Sequence, residues 1–359
     1  MKRFFVFLGV AFAAIGSAAS AQEVDSMVPM QKSSWGDAKT EEVIDYVPKI
    51  SLDTRAGYNQ YFTDGSGRFG GDGLYLDING YISPHFSYSL NHRLASTYYE
   101  DNSGFNGTNW MTLTYETDNF AVTAGKDALL VGSFEYDAYD LDTYYDMNSM
   151  FYNMLDCWQW GVSASWYPAD GQSVIFQFAN SPFAWEDDYF AYNAAWRGEW
   201  DFYESYWTVN MWQFEQDRYV KALNLGNRFY IGGLTLDLEY MTRAANMKSL
   251  FKDDFTFLAA PSYEFGDSFR VFAKFGWERV AEGLPYELAY EDYVGSDYLF
   301  YGAGVEFFPL KEDKDVRLHA AWSSNNFGDN YLNVGVTWKF DLTGAARYLF
   351  GKLGKQPLN

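Results

Sequence analysis

The stretch Asn333–Phe340, with the sequence NVGVTWKF, decides the fold class of this chain. Its large apolar residues stand at every second position, and small or polar residues stand between them. Because successive side chains of a β-strand point to opposite faces, this period of two predicts a strand with one apolar and one polar face. The stretch Leu234–Met241, LTLDLEYM, repeats the pattern.

About sixteen such segments follow one another with almost no helix between them, which leaves a closed barrel or a sandwich as the two architectures. An even number of strands is typical of bacterial single-chain barrels. The predicted strands are 50–62, 72–83, 85–97, 108–117, 119–128, 158–167, 172–180, 190–200, 203–214, 218–230, 233–244, 255–265, 268–280, 298–309, 315–326 and 330–341.

The first 21 residues predict export. Lys2 and Arg3 form a basic start, residues 4–15 are apolar, and residues 19–21 form an A-x-A cleavage site, as in a secretory signal peptide. The apolar run is shorter than the roughly 20 residues that a helical membrane span needs. We therefore expect a signal peptide at 1–21 that is cleaved during export.

The composition favours a membrane barrel over a sandwich. The chain has 31 Phe, 30 Tyr and 13 Trp, although its mean hydropathy is only -0.31. Aromatic side chains form girdles at both lipid interfaces of outer-membrane barrels, whose strands alternate between lipid and lumen. The sequence thus predicts an all-β, transmembrane antiparallel β-barrel in the outer membrane of a Gram-negative cell, in contact with its lipid.

The connections between the predicted strands support this choice. Every second connection is tight, as at 83–84, 117–118 and 232–233, whereas most of the others are longer. Short periplasmic turns that alternate with long outer loops are characteristic of such barrels. We expect a periplasmic lead-in at 22–49, the barrel at 50–341 and a periplasmic tail at 342–359.

The longest connection, 129–157, follows the fifth strand. It contains several aromatic residues and no Lys or Arg, and its acidic residues are Glu135, Asp137, Asp140, Asp142, Asp146 and Asp156. A long, aromatic-rich loop is more often functional than disordered. We expect it to fold inward and narrow the pore, with an external flap or a subunit-contact latch as the alternative.

The polar faces of the predicted strands carry charges of both signs. In a closed barrel, strands 13, 15, 16, 1 and 3 place the following inward-facing bases on one arc of wall: Arg55, Arg93, Arg270, Lys274, Arg317 and Lys339. This arc opposite the acidic loop would create a field across a constriction. The alternative is that these bases simply pair with neighbouring inward acids.

Other functional classes find little support. The three histidines, His85, His92 and His319, stand in no familiar catalytic or metal-binding motif, so we expect neither an enzyme nor a bound cofactor. Asp140 and Asp142 are a weak candidate for Ca²⁺, since acidic loops are usually only solvated. The formal charge of -22 argues against nucleic acid as a partner.

The segment Phe120–Lys126, followed by Val131-Gly132 and by residues 134–136, resembles the passage from the fifth strand into the constriction loop of the phosphate-selective porin O and P family. The resemblance implies a sixteen-stranded general or anion-preferring porin, commonly trimeric, with its long third loop folded inside.

Two features depart from the family pattern. Phosphate-selective members line the pore with an arginine ladder, whereas the long loop here is acidic, and about eighteen residues follow Asp341. The expected function is passive diffusion of small hydrophilic solutes and ions, with weak cation preference or none, by a homotrimer. The alternatives are a structural or adhesive barrel with a closed lumen, and a phosphate-, anion- or oligosaccharide-selective porin.

Overall fold

The structure is a computed structural model that describes residues 46–94, 107–183, 188–244, 251, 254–281, 295–311 and 314–344. The predicted signal peptide lies outside the described residues. So do most of the predicted lead-in, most of the predicted tail and parts of several connections between strands.

Sixteen strands make up the described chain almost entirely. They are β1 Lys49–Tyr61, β2 Gly67–Ser83, β3 Phe86–Arg93, β4 Thr108–Glu116, β5 Phe120–Ala128, β6 Trp158–Ala169, β7 Gln172–Asn180, β8 Phe190–Trp200, β9 Tyr203–Glu215, β10 Arg218–Ile231, β11 Leu234–Ala244, β12 Phe255–Phe265, β13 Phe269–Arg279, β14 Asp297–Phe307, β15 Val316–Asn325 and β16 Asn330–Asp341. Three short helical turns, α1 Phe134–Asp137, a 3-10 turn Asp140–Asp142 and α2 Met150–Met154, lie between β5 and β6.

The strands form a closed antiparallel barrel. Each strand pairs with the next along the chain, and β16 closes the ring on β1, with Leu52 opposite Phe340 and Tyr58 opposite Val334. Closure pairs the edge strands that an open sheet would leave exposed. The barrel predicted from the alternating pattern is confirmed.

The two faces of each strand differ in the way the pattern predicts. Outward-facing Phe176 and Val209 are 60% and 59% exposed, whereas inward-facing Asn224 and Arg243 are 0% exposed. A water-soluble protein buries its large apolar side chains and exposes its polar ones. This barrel shows the reverse arrangement, which fits an outer surface in contact with lipid.

Strand β2 begins five residues earlier than predicted. Gly67–Gly71 looks like a loop because it is glycine-rich, yet it pairs with β1 as far as Gln60 opposite Gly67. A bulge between Arg55 and Ala56 shifts the register, so that Gly73 and Gly71 face neighbouring residues of β1. The bulge lets the glycine-rich segment keep pairing with β1, which lengthens the strand. The strand propensities of the single residues do not predict this pairing.

Within the described residues, no helix is both long enough and apolar enough to cross a membrane.

Candidate functional site: the lumen and the long loop

The long loop, 129–157, enters the barrel along a row of side-chain amides, which we call the amide row: Gln177, Asn193, Asn210 and Asn224. Gln177 accepts a hydrogen bond from the Leu130 amide at 3.0 Å and donates to the Ala128 carbonyl at 2.8 Å. Asn210 donates to the Leu130 carbonyl at 2.6 Å, and Asn224 donates to the Val131 carbonyl. Buried backbone groups need such partners, and here the wall of β7–β10 supplies them.

Gly132 lets the chain turn at the end of this row. Its φ is +79°, and a Cβ atom there would lie 2.6 Å from Oγ1 of Thr208. Only glycine combines this backbone conformation with so close an approach to the wall.

The first helical turn, α1, fixes two loop acids against bases of the wall. Glu135 pairs with Lys274 on β13 at 2.7 Å, and both side chains are nearly fully buried. Asp137 pairs with Arg197 on β8 at 2.5 Å, and this second pair keeps side-chain exposures of 19% and 31%. The Arg197 guanidinium also lies 3.7 Å from the ring centroid of Tyr206.

Two residues later the loop reaches the opposite side of the lumen. The Tyr139 hydroxyl donates to Asp53 at 3.5 Å and to Asp77 at 3.4 Å, and it lies 3.4 Å from Nδ2 of Asn91. These partners stand on β1, β2 and β3, five to seven strands from β8 in the ring of sixteen. At this point of the loop, side chains two residues apart thus reach wall strands on different sides of the lumen.

The middle of the loop then lies against β1 and β13–β16. Arg55 donates to the carbonyls of Leu141 and Thr143 at 3.0 and 2.9 Å, and Asp142 pairs with Arg317. The next residue, Tyr144, stacks on His319 with ring centroids 4.0 Å apart and donates to Glu306 at 2.5 Å.

The returning part of the loop is held by a buried charge cluster. Glu278 on β13 accepts hydrogen bonds from the amides of Met150 and Phe151 at the start of α2. It is paired at 3.1 Å with Arg243, which also pairs with Asp254. Glu278 and Arg243 are fully buried, so the pairing offsets a large desolvation cost.

Apolar side chains of the loop form a core inside the barrel. Phe151 stacks on Trp212 at 5.7 Å, and both rings are buried together with Leu129, Val131 and Met150. Burial of this size ties the loop to the wall by the hydrophobic effect as well as by charge.

The wall of β4–β6 differs from the rest. Five of its inward-facing side chains carry hydroxyl groups, all are half-buried, and we call them the hydroxyl wall: Thr112, Thr114, Thr123, Ser163 and Ser165. At its end the loop contacts β6, where Asp156 accepts hydrogen bonds from the Trp158 amide and from Gln159. Its other described contacts with the barrel fall on the strands from β7 round through β16 to β3. Most of the loop thus packs against one side of the lumen, and the small hydroxyl side chains of β4–β6 lie on the other.

Most of the predicted loop acids have a partner on the wall. Glu135, Asp137 and Asp142 are in ion pairs, and Asp146 accepts from the Tyr61 hydroxyl at 3.4 Å. The Asp140 side chain lies outside the described part of the chain.

The predicted basic arc is also paired. Arg55 contacts Asp72, Arg270 and Arg317 contact Glu306, and Lys339 contacts Asp53. Arg93 donates to Asn109 at 3.0 Å. These are the neighbour contacts that the sequence left open as the alternative to a field across the pore.

Burial shifts the titration of two loop carboxyls, Asp146 and Asp156. It raises the pKa of Asp146 above the ordinary value, and the hydrogen bond from Tyr61 opposes this shift. Burial likewise raises the pKa of Asp156, against the hydrogen bond from the Trp158 amide and the charge of Lys126.

Sequence reasoning did not single out the amide row or the importance of Arg197. The alternating pattern of the strands was enough to show that these residues face inward. Their contacts with the loop could not be predicted in this way, because those join positions 47 to 93 residues apart.

The described residues contain no group of three or more His, Cys, Asp or Glu side chains placed to hold a metal ion. Asp142, half of the weak Ca²⁺ candidate, is instead paired with Arg317.

Comparison with known proteins agrees with this architecture. Residues 54–205 match the family described as phosphate-selective porin O and P. The family resemblance is confirmed. No curated protein sequence matches the chain.

Solved outer-membrane proteins share the fold. The outer membrane channel DcaP of Acinetobacter baumannii has a TM-score of 0.59 at 11% identity, over 82% of this chain and 97% of that one. OmpT of Vibrio cholerae, in a trimer form, has a TM-score of 0.57 at 12% identity, over 82% and 99%. A mutant porin of Rh. blastica has a TM-score of 0.54 at 14% identity, over 82% and 100%. The family match and the fold support an outer-membrane channel.

Proposed function

We propose that this protein is a general porin, through which small hydrophilic solutes and ions diffuse passively across the outer membrane. The observation that carries the proposal is the asymmetric packing of the long loop. Except at its end, where Asp156 contacts β6, the loop contacts the wall from β7 round to β3, and the half-buried hydroxyl wall of β4–β6 lies on the remaining side of the lumen. A sixteen-stranded barrel is wide enough to hold both a folded loop and a water-filled passage.

The chemistry of this passage favours hydrated solutes over a single ligand. Hydroxyl groups such as those of Thr123 and Ser163 can replace water of hydration without fixing a solute in one orientation. The bases Arg55, Arg270 and Arg317 are occupied by acids or by loop carbonyls. This supports weak cation preference or near neutrality and not tight binding of phosphate.

The cellular location and the oligomeric state follow from the same proposal. Residues 1–21 act as a cleaved signal peptide, 22–49 and 342–359 lie in the periplasm, and the apolar outer surface contacts lipid. The likeness to a trimeric outer-membrane protein supports a homotrimer.

Single-channel recording tests the proposal. The purified protein, added to a planar lipid bilayer in KCl, should give discrete, ohmic conductance steps, while heat-unfolded protein from the same preparation should give none. A barrel with a closed lumen would insert without conducting. Block of the current by micromolar phosphate, or by one oligosaccharide, would instead identify a dedicated transporter.

A further inference from the structure

The ion pair Asp137–Arg197 occupies an unusual position among the pairs that hold the loop. Its side chains are 19% and 31% exposed, against 5% and 7% for Glu135–Lys274. It lies near the start of the loop, within electrostatic range of Asp127 on the neighbouring wall strand β5. The stacking of Arg197 on Tyr206 holds the guanidinium in place.

A second carboxylate lies nearby on β5. Asp127 lines a small depression together with Thr123, Gln159 and Ser163, next to Gln177, which binds the start of the loop. It lies within electrostatic range of both Asp137 and Arg197. Its Oδ1 accepts from the Ala128 amide at 2.8 Å, and no described base lies within ion-pair distance of it.

These three side chains give the passage a net charge. Arg197 compensates Asp137, and Asp127 adds one uncompensated negative charge beside the hydroxyl wall. Charges at a constriction act on a passing ion over distances shorter than the screening length of about 10 Å at 0.1 M salt, so they outweigh the distant surface charge. The more deeply buried pairs have little access to the solute.

We propose that Asp127, Asp137 and Arg197 form the charge filter of the passage, and that Asp127 sets its cation preference. The proposal rests on the proposed porin function and names the residues that decide its selectivity. Asp127 is a specificity determinant and does not serve as a site that retains an ion, because a single carboxylate attracts cations without coordinating them tightly.

Reversal potentials under a KCl gradient test this assignment. Asp127→Asn should lower the potassium-to-chloride permeability ratio about sevenfold, because one unit charge acting in water over about 7 Å favours potassium and disfavours chloride by a factor of about 2.7 each. Arg197→Gln should move the ratio in the opposite direction. Asp201→Asn, the same charge change in an exposed periplasmic turn, is the matched control and should leave the ratio unchanged.

Each outcome decides a separate point. A conducting Asp127→Asn pore with wild-type selectivity overturns the charge filter while leaving the porin function intact. Equal shifts for Asp127→Asn and Asp201→Asn also overturn it, because overall charge would then set selectivity. A wild-type protein that inserts without conducting overturns both proposals.

Discussion

At the scale of single residues, Arg243 shows how charge is handled inside the barrel. It is fully buried, bridges Asp254 and Glu278, and lies 4.2 Å from the ring centroid of Phe151. Glu278 in turn holds the start of α2 through the Met150 amide. One guanidinium therefore connects three strands and the returning part of the loop.

Replacement of Arg243 by Met should be among the most destabilising single changes in the barrel. It would leave two buried carboxylates without their counter-ion, which costs roughly 3–5 kcal/mol. The temperature at which the folded band converts to the unfolded band on a gel should fall clearly. Arg279→Met, which removes an exposed pair with Asp297, is the control and should change little. Equal effects of the two changes would show that the buried cluster does not hold the loop.

At the scale of elements, the long loop is fixed by the wall more than by its own secondary structure. Its helical turns α1 and α2 have four and five residues, too short to be stable alone. The amide row supplies partners for its first carbonyls, and Gly132 provides the turn and the close approach that bring α1 to β13. The loop path thus depends on one glycine.

Gly132→Ala should displace the start of the loop and make the conductance larger and noisier. The new Cβ would lie 2.6 Å from Thr208 Oγ1, on top of the cost of about 1–2 kcal/mol for a left-handed backbone. Gly65→Ala is a matched control, since Gly65 has a φ of +73° but no atom within 4 Å of the added Cβ. The idea fails if single-channel recordings of the two variants cannot be told apart.

At the scale of the whole molecule, the alternating pattern was enough to predict the fold, because period-two alternation and turn lengths are local properties. Residues Asn333–Phe340 specify a face for each side chain, and closure of the ring follows from the need to pair β1 with β16. The glycine-rich start of β2 was missed, since its pairing depends on a bulge at Asp72 within β2.

The arrangement inside the lumen was predictable only in part. The alternation of side chains along each strand placed the bases Arg55, Arg270 and Lys274 inside the barrel, and the composition of the loop showed that it is acidic. Which acid meets which base depends on how the loop crosses the barrel, and that path is set by contacts such as Asp137 with Arg197, 60 residues apart. The importance of Asp127 emerges only when this path is known.

The central claim, an aqueous passage between the loop and β4–β6, is tested most directly by cysteine accessibility in conducting channels. In a Cys157→Ser background, which removes the chain's one cysteine, Ser163→Cys on the hydroxyl wall is compared with Ala321→Cys, an inward position on β15 that is 1% exposed. A charged methanethiosulfonate reagent should reduce the current of the Ser163→Cys channel at once and leave that of Ala321→Cys unchanged. Rapid modification of Ala321→Cys with no effect at Ser163→Cys would contradict the account, because the passage would then lie on the other side of the loop.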